Sequence, residues 1–236
     1  MKNIAENVAF FNPNLFRPSE YTAMLIQQIR EYGSSVKGKT TLEIGCGSGV
    51  VLAALAKEGA SRVCGVDIEA DAIRASSQTL SDAGCLDVSE LHHGDMWSMV
   101  PGRVFDVVVA NLPQAPTENL EIDGRNLTWN FGGSSGRAIL DQFLNGVAAH
   151  LTADGWGLIT HFDPIDVAKT IEMLNASGLK AKVVMTRLLT YSQERLNDLV
   201  PEVVASKVGK SIIFYGKHVF SEVHVLEFRR ADGTNE

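Results

Sequence analysis

The residues best suited to chemistry in this chain form a short run in which an acid is followed by alternating glycines. The run extends from Glu43 to Gly49 and contains Gly45, Gly47 and Gly49; an apolar stretch precedes it and an apolar segment with helical spacing follows it. Glycine adopts positive φ angles and has no Cβ, so a ligand can approach the backbone of such a turn closely. The run therefore predicts a strand, a tight turn and a helix, with the turn as a cofactor-binding site.

Two common nucleotide-binding motifs do not fit this run. The dinucleotide motif G-x-G-x-x-G needs a third glycine where the chain has Val50, and a P-loop needs Lys and then Ser or Thr, where the chain has Val50 and Val51. The pattern Glu-x-Gly-x-Gly-x-Gly resembles motif I of the class I S-adenosylmethionine (SAM) dependent methyltransferases. The resemblance implies SAM as the cofactor, with Glu43 ordering the turn or the ammonium group of SAM.

Further polar residues lie where later apolar strands end. Asp67 and Ile68 end the second predicted strand, Asp95 and Met96 end the third, and Asn111 follows the fourth. Ligands of open α/β sheets bind beyond the carboxyl ends of the strands, so we expect all five residues to contact the cofactor. Asp67 would accept its ribose hydroxyls, and Asp95 with Met96 would meet its adenine. A helix cap for Asp67 and a turn for Asp95 are the structural alternatives.

Strand and helix patterns indicate the elements that hold these residues. Apolar strands alternate with helical stripes, including a third strand over 86–95 and a fifth over 155–160, and the tail alternates as antiparallel strands do. This predicts a doubly wound, Rossmann-like α/β sheet that is mostly parallel with an antiparallel last strand. Residues 1–38 are expected to form a short helical N-terminal arm or lid, and residues 39–236 a single SAM-binding domain.

Three separate segments resemble the HemK-like (PrmC-like) amino-methyltransferases. Asn111-Leu112-Pro113-Gln114 is similar to their motif IV, Asn-Pro-Pro-Tyr, and Pro18 to Thr22 is similar to their Pro-x-x-x-Thr stretch. Residues 132–143 resemble their Gly-Gly-x-x-Gly-Arg-x-x-x-Asp-x-Phe segment, and the similarity extends from about residue 10 to about residue 190. The chain departs from the family at Leu112 and Gln114, so an aromatic residue is missing from motif IV.

The resemblance implies a planar acceptor nitrogen, often a glutamine side-chain amide. In the family, the motif IV Asn and the carbonyl after it accept hydrogen bonds from that nitrogen, while the aromatic residue packs on the amide. Asn111, Pro113 and Gln114 are therefore the expected catalytic residues. Since position 114 is polar, Gln114 could instead hold a small polar acceptor or the amino-acid end of SAM.

Composition limits the partners that we expect. The chain has 21 basic and 28 acidic residues, a net charge of −7, and no basic run that would follow a phosphate backbone, so duplex nucleic acid is not an expected substrate. Three cysteines without C-x-x-C spacing favour reduced thiols, and no metal site is expected. With no apolar stretch long enough to span a membrane, we predict a cytoplasmic protein. The oligomeric state is left open.

Several other side chains keep two interpretations. His161, at the end of the fifth strand, is either a general base or a structural histidine. Trp129 and Phe131 either roof the acceptor pocket or anchor the long loop over 111–136. Tyr21 and Tyr191 could also face the cleft.

These patterns together predict a SAM-dependent methyltransferase. The expected acceptor is a nitrogen, or less favourably an oxygen, of a small molecule or a protein side chain. One alternative is a SAM cyclase or lyase, in which an amine or carboxylate of SAM attacks its own Cγ and releases methylthioadenosine. Another is a non-catalytic SAM-binding subunit that stabilises a partner methyltransferase.

Overall fold

The computed structural model of the chain describes residues 18–117, 121–122, 125–126 and 131–230. Its strands are β1 (Thr40–Ile44), β2 (Arg62–Asp67), β3 (Ser89–His93), β4 (Phe105–Ala110), β5 (Glu121–Ile122), β6 (Arg125–Asn126), β7 (Leu151–Phe162), β8 (Leu179–Tyr191), β9 (Ile212–Tyr215) and β10 (His218–Arg230). An eight-stranded sheet has the order β3-β2-β1-β4-β7-β10-β8, with β9 paired to the start of β10. Strands β5 and β6 form a separate hairpin.

Helices cover the sheet. They are α1 (Glu20–Glu31), α2 (Gly33–Val36), α3 (Val50–Lys57), α4 (Ala70–Asp82), α5 (Ala138–Val147), α6 (Val167–Ala176), α7 (Gln193–Asn197) and α8 (Pro201–Lys207). Helix α1 contacts α3, β7 and β10, whereas α5 contacts α6, which packs on β8. The predicted doubly wound α/β sheet is confirmed, and its antiparallel strand is β10, which runs against both β7 and β8.

The register of the parallel strands brings four polypeptide segments to one edge. Ile44 is level with both Val66 and Ala110, and Ala110 is level with Ile159. Because these strands are parallel, the residue after each position lies at the same edge. These residues are Gly45, Asp67, Asn111 and Thr160.

The central strands are apolar because helices cover both of their faces. Val107, Val108 and Val109 of β4 have no exposed surface, and Leu42 of β1 has none either. Alternate side chains of a strand point to opposite faces, so three consecutive buried residues need cover on both sides. The continuous apolar run of β4 thus reflects its central place in the sheet.

The N-terminal segment packs on the same core. Leu25 and Ile29 of α1 are fully buried within the main hydrophobic cluster. The backbone N–H of Ser19 donates to Thr22 Oγ1 at 3.2 Å, which fixes the first turn of the helix. Residues 1–17 of the predicted arm lie outside the described residues. The proposed division at residue 38 and the lid role stay predictions.

Two predicted strands have different bounds in the structure. The third covers only Ser89–His93, because residues 86–88 form a 3-10 turn, and Asp95 and Met96 follow the strand instead of ending it. The fifth extends over Leu151–Phe162, beyond the predicted 155–160 at both ends. Its extension past residue 160 continues beyond the end of β4 at Ala110. The backbone N–H and C=O groups of the last residues of β7 therefore have no hydrogen-bond partner in β4.

Residues 132–136 form hydrogen bonds and close contacts with the loop that follows β4. The N–H of Gly132 donates to Ala115 O at 3.0 Å, and the N–H of Thr117 donates to Gly133 O at 3.2 Å. Gly136 has a φ of +72°, and a Cβ there would lie 2.7 Å from the carbonyl oxygen of Gln114. Two of the segments that resemble the amino-methyltransferases thus pack against each other.

Residues 192–217 connect β8 to β10 and contain α7, α8 and β9. Leu196 and Leu199 of this connection are buried. The N–H of Val200 donates to the carbonyl of Pro116 at 2.7 Å, so the connection contacts the loop after β4. Within the described residues, none of the helices has the length and apolar character needed to cross a bilayer.

Arg137 ties α5 to the start of α6 from a buried position. One of its guanidinium nitrogens donates to the carbonyls of Ile165 and Asp166 and to Thr170 Oγ1, at 2.8 to 3.1 Å. The other lies 2.7 Å from Asp141, whose second oxygen is 3.9 Å from the exposed Lys169. This network orders the turn that follows β7.

Arg137→Met is expected to lower the free energy of unfolding by about 3 kcal/mol, because two carbonyls and one carboxylate lose their buried cation. Lys169→Met removes the exposed partner of the same Asp141 carboxylate and should cost less than about 1 kcal/mol. Urea unfolding of both variants measures the two losses. Equal losses would contradict the assigned role of Arg137.

Candidate active site

The glycine run forms a tight turn between β1 and α3. Gly45, Gly47 and Gly49 have φ angles of 73°, 50° and 76°, in the left-handed region that favours glycine. A Cβ on Gly49 would lie 2.6 Å from the Cα of Ser76, so the turn approaches α4 too closely for any side chain there. The hydroxyl of Ser76 also donates to Gly47 O at 3.1 Å. The turn is fixed, and its backbone has no side chain of its own at three positions.

Asp67 lies directly beside this turn. Its Oδ2 accepts the N–H of Gly47 at 2.8 Å, and its Oδ1 accepts the N–H of Glu69 at 2.9 Å. The residue that caps α4 is Glu69, so Asp67 is not the helix cap. Burial raises the pKa of the Asp67 carboxyl, and the two backbone N–H groups oppose that rise. The neighbouring Ile68 leaves 63% of its surface exposed, so an exposed apolar side chain lies next to the carboxylate in the sequence.

Glu43 is buried behind the turn. Only 2% of its surface is exposed, and its Oε2 has no hydrogen-bond partner within the described structure. Burial raises the pKa of this carboxyl well above its ordinary value, and the Asp67 charge adds to the rise. An unpaired buried carboxyl is costly, whereas a cationic ligand at the turn would stabilise its ionised form. Glu43 therefore fits a positively charged cofactor such as SAM.

The end of β3 is joined to the end of β2. The N–H of Gly94 donates to the carbonyl of Asp67 at 2.9 Å, which places Asp95 and Met96 near Asp67 along the same edge. Met96 is buried and has a φ of 37°, which is unusual for a residue with a side chain. Such strain is common at ligand-binding positions. The exposed Asp95 accepts weak 3.4 Å hydrogen bonds from Gln142.

Asn111 is held by hydroxyl groups on both sides of its amide. Its Oδ1 accepts the hydroxyl of Thr160 at 2.7 Å, and its Nδ2 donates to Thr22 Oγ1 at 3.2 Å. The following side chain, Leu112, lies 3.2 Å from the position that a Cβ on Gly45 would occupy. Asn111 is thus oriented by α1 and β7 and lies near the glycine turn.

Gln114 binds the backbone of β7 through its side chain. Its Nε2 donates to Thr160 O at 2.8 Å, and its Oε1 accepts the N–H of Phe162 at 2.8 Å. The buried side-chain amide therefore continues the hydrogen-bond ladder beyond the end of β4. Both ends of the Gln114 amide are bound to β7, and its expected catalytic role stays a prediction. Pro113, the third expected catalytic residue, is half-buried beside it.

His161 lies in the core rather than in the cleft. It has no exposed surface, and its Nε2 lies 2.9 Å from Thr170 Oγ1. Burial, reinforced by the nearby Arg137 and His224, lowers the pKa of the imidazole to about 3. The geometry matches the structural interpretation of His161. Trp129 lies outside the described residues, and Phe131 forms a backbone bridge with Ala115.

Two clusters within the described residues have donor atoms close enough for a metal ion. In the first, Cys64 and His92 accompany Glu90, but both oxygens of Glu90 already accept the Arg103 guanidinium at 2.9 Å. In the second, both nitrogens of His224 have partners, Thr186 at 2.8 Å and Asp163 at 3.0 Å. Internal hydrogen bonds account for both clusters, and the expected absence of a metal site stays a prediction.

Sequence reasoning missed Thr160, although it lies in the predicted fifth strand. The signal that could have found it is register: Thr160 follows Ile159, which is level with the last residue of β4. It also missed that Phe162 would stack on Tyr191, with ring centroids 5.6 Å apart and an interplanar angle of 17°. These contacts depend on how far β7 and β8 extend.

Comparisons with known proteins show relatives of the chain. Residues 41–122 match a family model described as a methyltransferase domain. The chain is 31% identical over 173 residues to a candidate protein N5-glutamine methyltransferase of Methanocaldococcus jannaschii, covering 73% of this chain and 84% of that protein. It is also 31% identical over 159 residues to the ribosomal protein L11 methyltransferase of Vibrio campbellii, covering 67% of this chain and 50% of that protein.

Solved structures show the same fold. The L11 methylase of Lactobacillus delbrueckii subsp. bulgaricus has a TM-score of 0.58 at 19% identity, over 93% of this chain and 84% of that one. The E. cuniculi Mtq2–Trm112 complex gives a TM-score of 0.63 at 16% identity, over 92% of this chain and 99% of that one.

The sheet, the glycine turn and these similarities define a SAM-dependent methyltransferase fold. The chain belongs to the class I methyltransferase family, and its methyl donor is SAM.

The buried His161 predicts a measurable pH effect on stability. Its folded pKa is about 3 and its ordinary value is 6.5, so below pH 6.5 the unfolded chain binds a proton that the folded chain does not. The free energy of unfolding should therefore fall, at about 1.4 kcal/mol per pH unit, as the pH drops from 6.5 towards about 4.5.

His161→Gln keeps a polar group near Thr170 but cannot take up this proton. Urea unfolding at several pH values should show a shallower loss of stability in the variant than in the unmodified protein. Identical slopes would mean that His161 is protonated in the folded state.

Proposed function

We propose that the protein is an N-methyltransferase that acts on a planar nitrogen, such as a side-chain amide of a protein or a small molecule. The observation that carries this proposal is the position of Asn111. Its amide is held between Thr22 and Thr160, next to the glycine turn and at the same edge of the sheet as Gly45 and Asp67. The Asn111 amide, beside the bound methyl donor, could orient an acceptor nitrogen that must be aligned with the methyl group.

In this proposal SAM lies across the carboxyl ends of β1 to β4. Glu43 and the turn at Gly45, Gly47 and Gly49 face its amino-acid part. Asp67 exchanges its bond to the Gly47 N–H, now 2.8 Å, for the ribose hydroxyls. Ile68, Asp95 and Met96 hold the adenine, and Asn111 lies on the side of the methyl group.

The acceptor nitrogen must aim its lone pair at the methyl carbon, in line with the departing sulfur. An amide oxygen has two lone pairs, and the hydroxyl of Thr160 uses one on Asn111 Oδ1. The second can accept an N–H of the acceptor. Holding the nitrogen in this direction supplies most of the rate that a neutral nucleophile needs. Pro113 shapes the turn after Asn111, and Gln114 positions it through β7.

The relatives support an amide or protein acceptor without fixing it. The first is named for N5-glutamine methylation and the second for methylation of a ribosomal protein. The chain spans about half the length of the V. campbellii L11 methyltransferase, so that activity as a whole is only a proposal here. We propose residues 18–38 as one wall of the acceptor site, because Thr22 binds Asn111 directly.

A methyl-transfer assay tests the proposal. The protein is incubated with SAM labelled in the methyl group and a panel of glutamine-containing peptides and ribosomal proteins. Asn111→Ala should lower kcat/KM for the best acceptor by about 100-fold, because the acceptor loses its orienting partner, while the Kd for SAM changes little.

The control is Asn175→Ala, an exposed Asn on α6, the helix that packs on the edge strand β8, and this variant should retain full activity. If Asn111→Ala lost stability in urea but no transfer activity were found with any acceptor, the protein would instead be a SAM-binding subunit of a partner enzyme.

A further inference from the structure

The acceptor side of the site contains aromatic residues that motif IV lacks. Gln114 stands where the family has an aromatic residue, and its side chain is bound to β7. Phe162, the next residue along β7 in this network, donates its N–H to Gln114 Oε1. Its ring stacks on Tyr191 at the end of β8, with centroids 5.6 Å apart and planes 17° apart.

These rings lie on the same face of the sheet as Asn111's partners. Phe162 and Thr160 are two residues apart on β7, so their side chains share a face, and Thr160 binds Asn111. Val219 and Val223 of β10 lie opposite Tyr191 and Phe162 and also share one face. The pair is therefore continuous with the site around Asn111.

A third aromatic residue, Tyr21, belongs to helix α1. Tyr21 immediately precedes Thr22, whose hydroxyl binds Asn111 Nδ2. Tyr21 is near enough to Tyr191 for the two phenols to interact electrostatically, and Arg195 of α7 interacts with both. Ser192 caps α7 by accepting the N–H of Arg195 at 3.1 Å, which fixes the start of this helix directly after Tyr191.

We propose that Tyr21 and Tyr191, with Phe162 behind Tyr191, form the aromatic surface on which the flat, uncharged acceptor group packs while Asn111 orients its nitrogen. This inference rests on the proposed function and specifies where the acceptor binds. The aromatic contact that motif IV provides in the family is provided in this chain by α1 and β8. Gln114 acts as a positioning residue that holds Phe162 in register.

The phenols suit a packing role rather than proton transfer. Burial raises the pKa of Tyr191 to about 12 and raises that of Tyr21 further, so both stay neutral at any working pH. A neutral ring packs well on a planar amide, whereas a phenolate would repel its carbonyl oxygen. The surface therefore favours amides and neutral heterocycles.

The four tyrosines of the chain allow a direct test by NMR. The protein is labelled with ¹³C in the tyrosine rings, saturated with S-adenosylhomocysteine and titrated with butanamide. Single Tyr→Phe variants assign the four signals. Butanamide should shift the signals of Tyr21 and Tyr191, while Tyr32, which packs on Trp156, and Tyr215, which packs on Phe220, act as internal controls.

Variants then measure the contribution of the ring. Tyr191→Leu should raise the Kd for butanamide by about 5- to 10-fold, and Tyr191→Phe should change it less than about 2-fold, since stacking on the ring is what is lost. The matched control Tyr215→Leu removes an exposed tyrosine on β9 and should leave this Kd unchanged. Butylammonium, which has no planar amide, should cause no shift at Tyr21 or Tyr191.

Absence of shifts at Tyr21 and Tyr191, or equal Kd values for Tyr191→Leu and Tyr191→Phe, would overturn the proposal. The methyl-transfer assay reports separately on the proposed function. If amide binding at Tyr21 and Tyr191 were found without methyl transfer to any amide, the proposed function would fail while the aromatic binding site would stand.

Discussion

The register of the parallel strands is the constraint on which the whole site depends. Because Ile44 is level with Val66 and Ala110, and Ala110 with Ile159, the residues that follow these four positions lie together at one edge. A shift of one residue in any pair would turn the side chain after that strand to the opposite face. The buried valines of β4 prevent such a shift, since they would then exchange the faces that they fill. Core packing thus fixes the position of the functional edge.

Two acids share this edge, and their electrostatics explain why the cofactor should be a cation. Burial raises the pKa of both Glu43 and Asp67, and the charge of Asp67 raises that of Glu43 further. Ionising both carboxyls without a neighbouring cation is unfavourable. SAM carries a sulfonium and an ammonium group, so its binding would offset this cost. The hydrogen bond from the Gly47 N–H to Asp67 keeps the turn ordered until a ligand competes for the carboxylate.

Much of the fold and part of the site could be predicted from the sequence because the relevant signals are local. Alternating glycines before an apolar helix predict the turn, and an acid or amide after an apolar run predicts Asp67 and Asn111 at the strand ends. The conformation of Gln114 could not be predicted, since it depends on β7 continuing past β4 and leaving Thr160 O and Phe162 N–H to be bound. The burial of His161 likewise depends on how Arg137 and α6 pack around it, which is a matter of tertiary packing rather than of local sequence pattern.

The central claim is that the protein transfers the methyl group of SAM rather than rearranging SAM itself. Mass analysis of the nucleoside formed from SAM, with and without a glutamine-containing acceptor, tests it most directly. The account predicts S-adenosylhomocysteine that accumulates only with an acceptor and is lost with Asp67→Ala, because the ribose loses its partner. Methylthioadenosine formed from SAM alone, well above the rate without protein and also lost with Asp67→Ala, would contradict it.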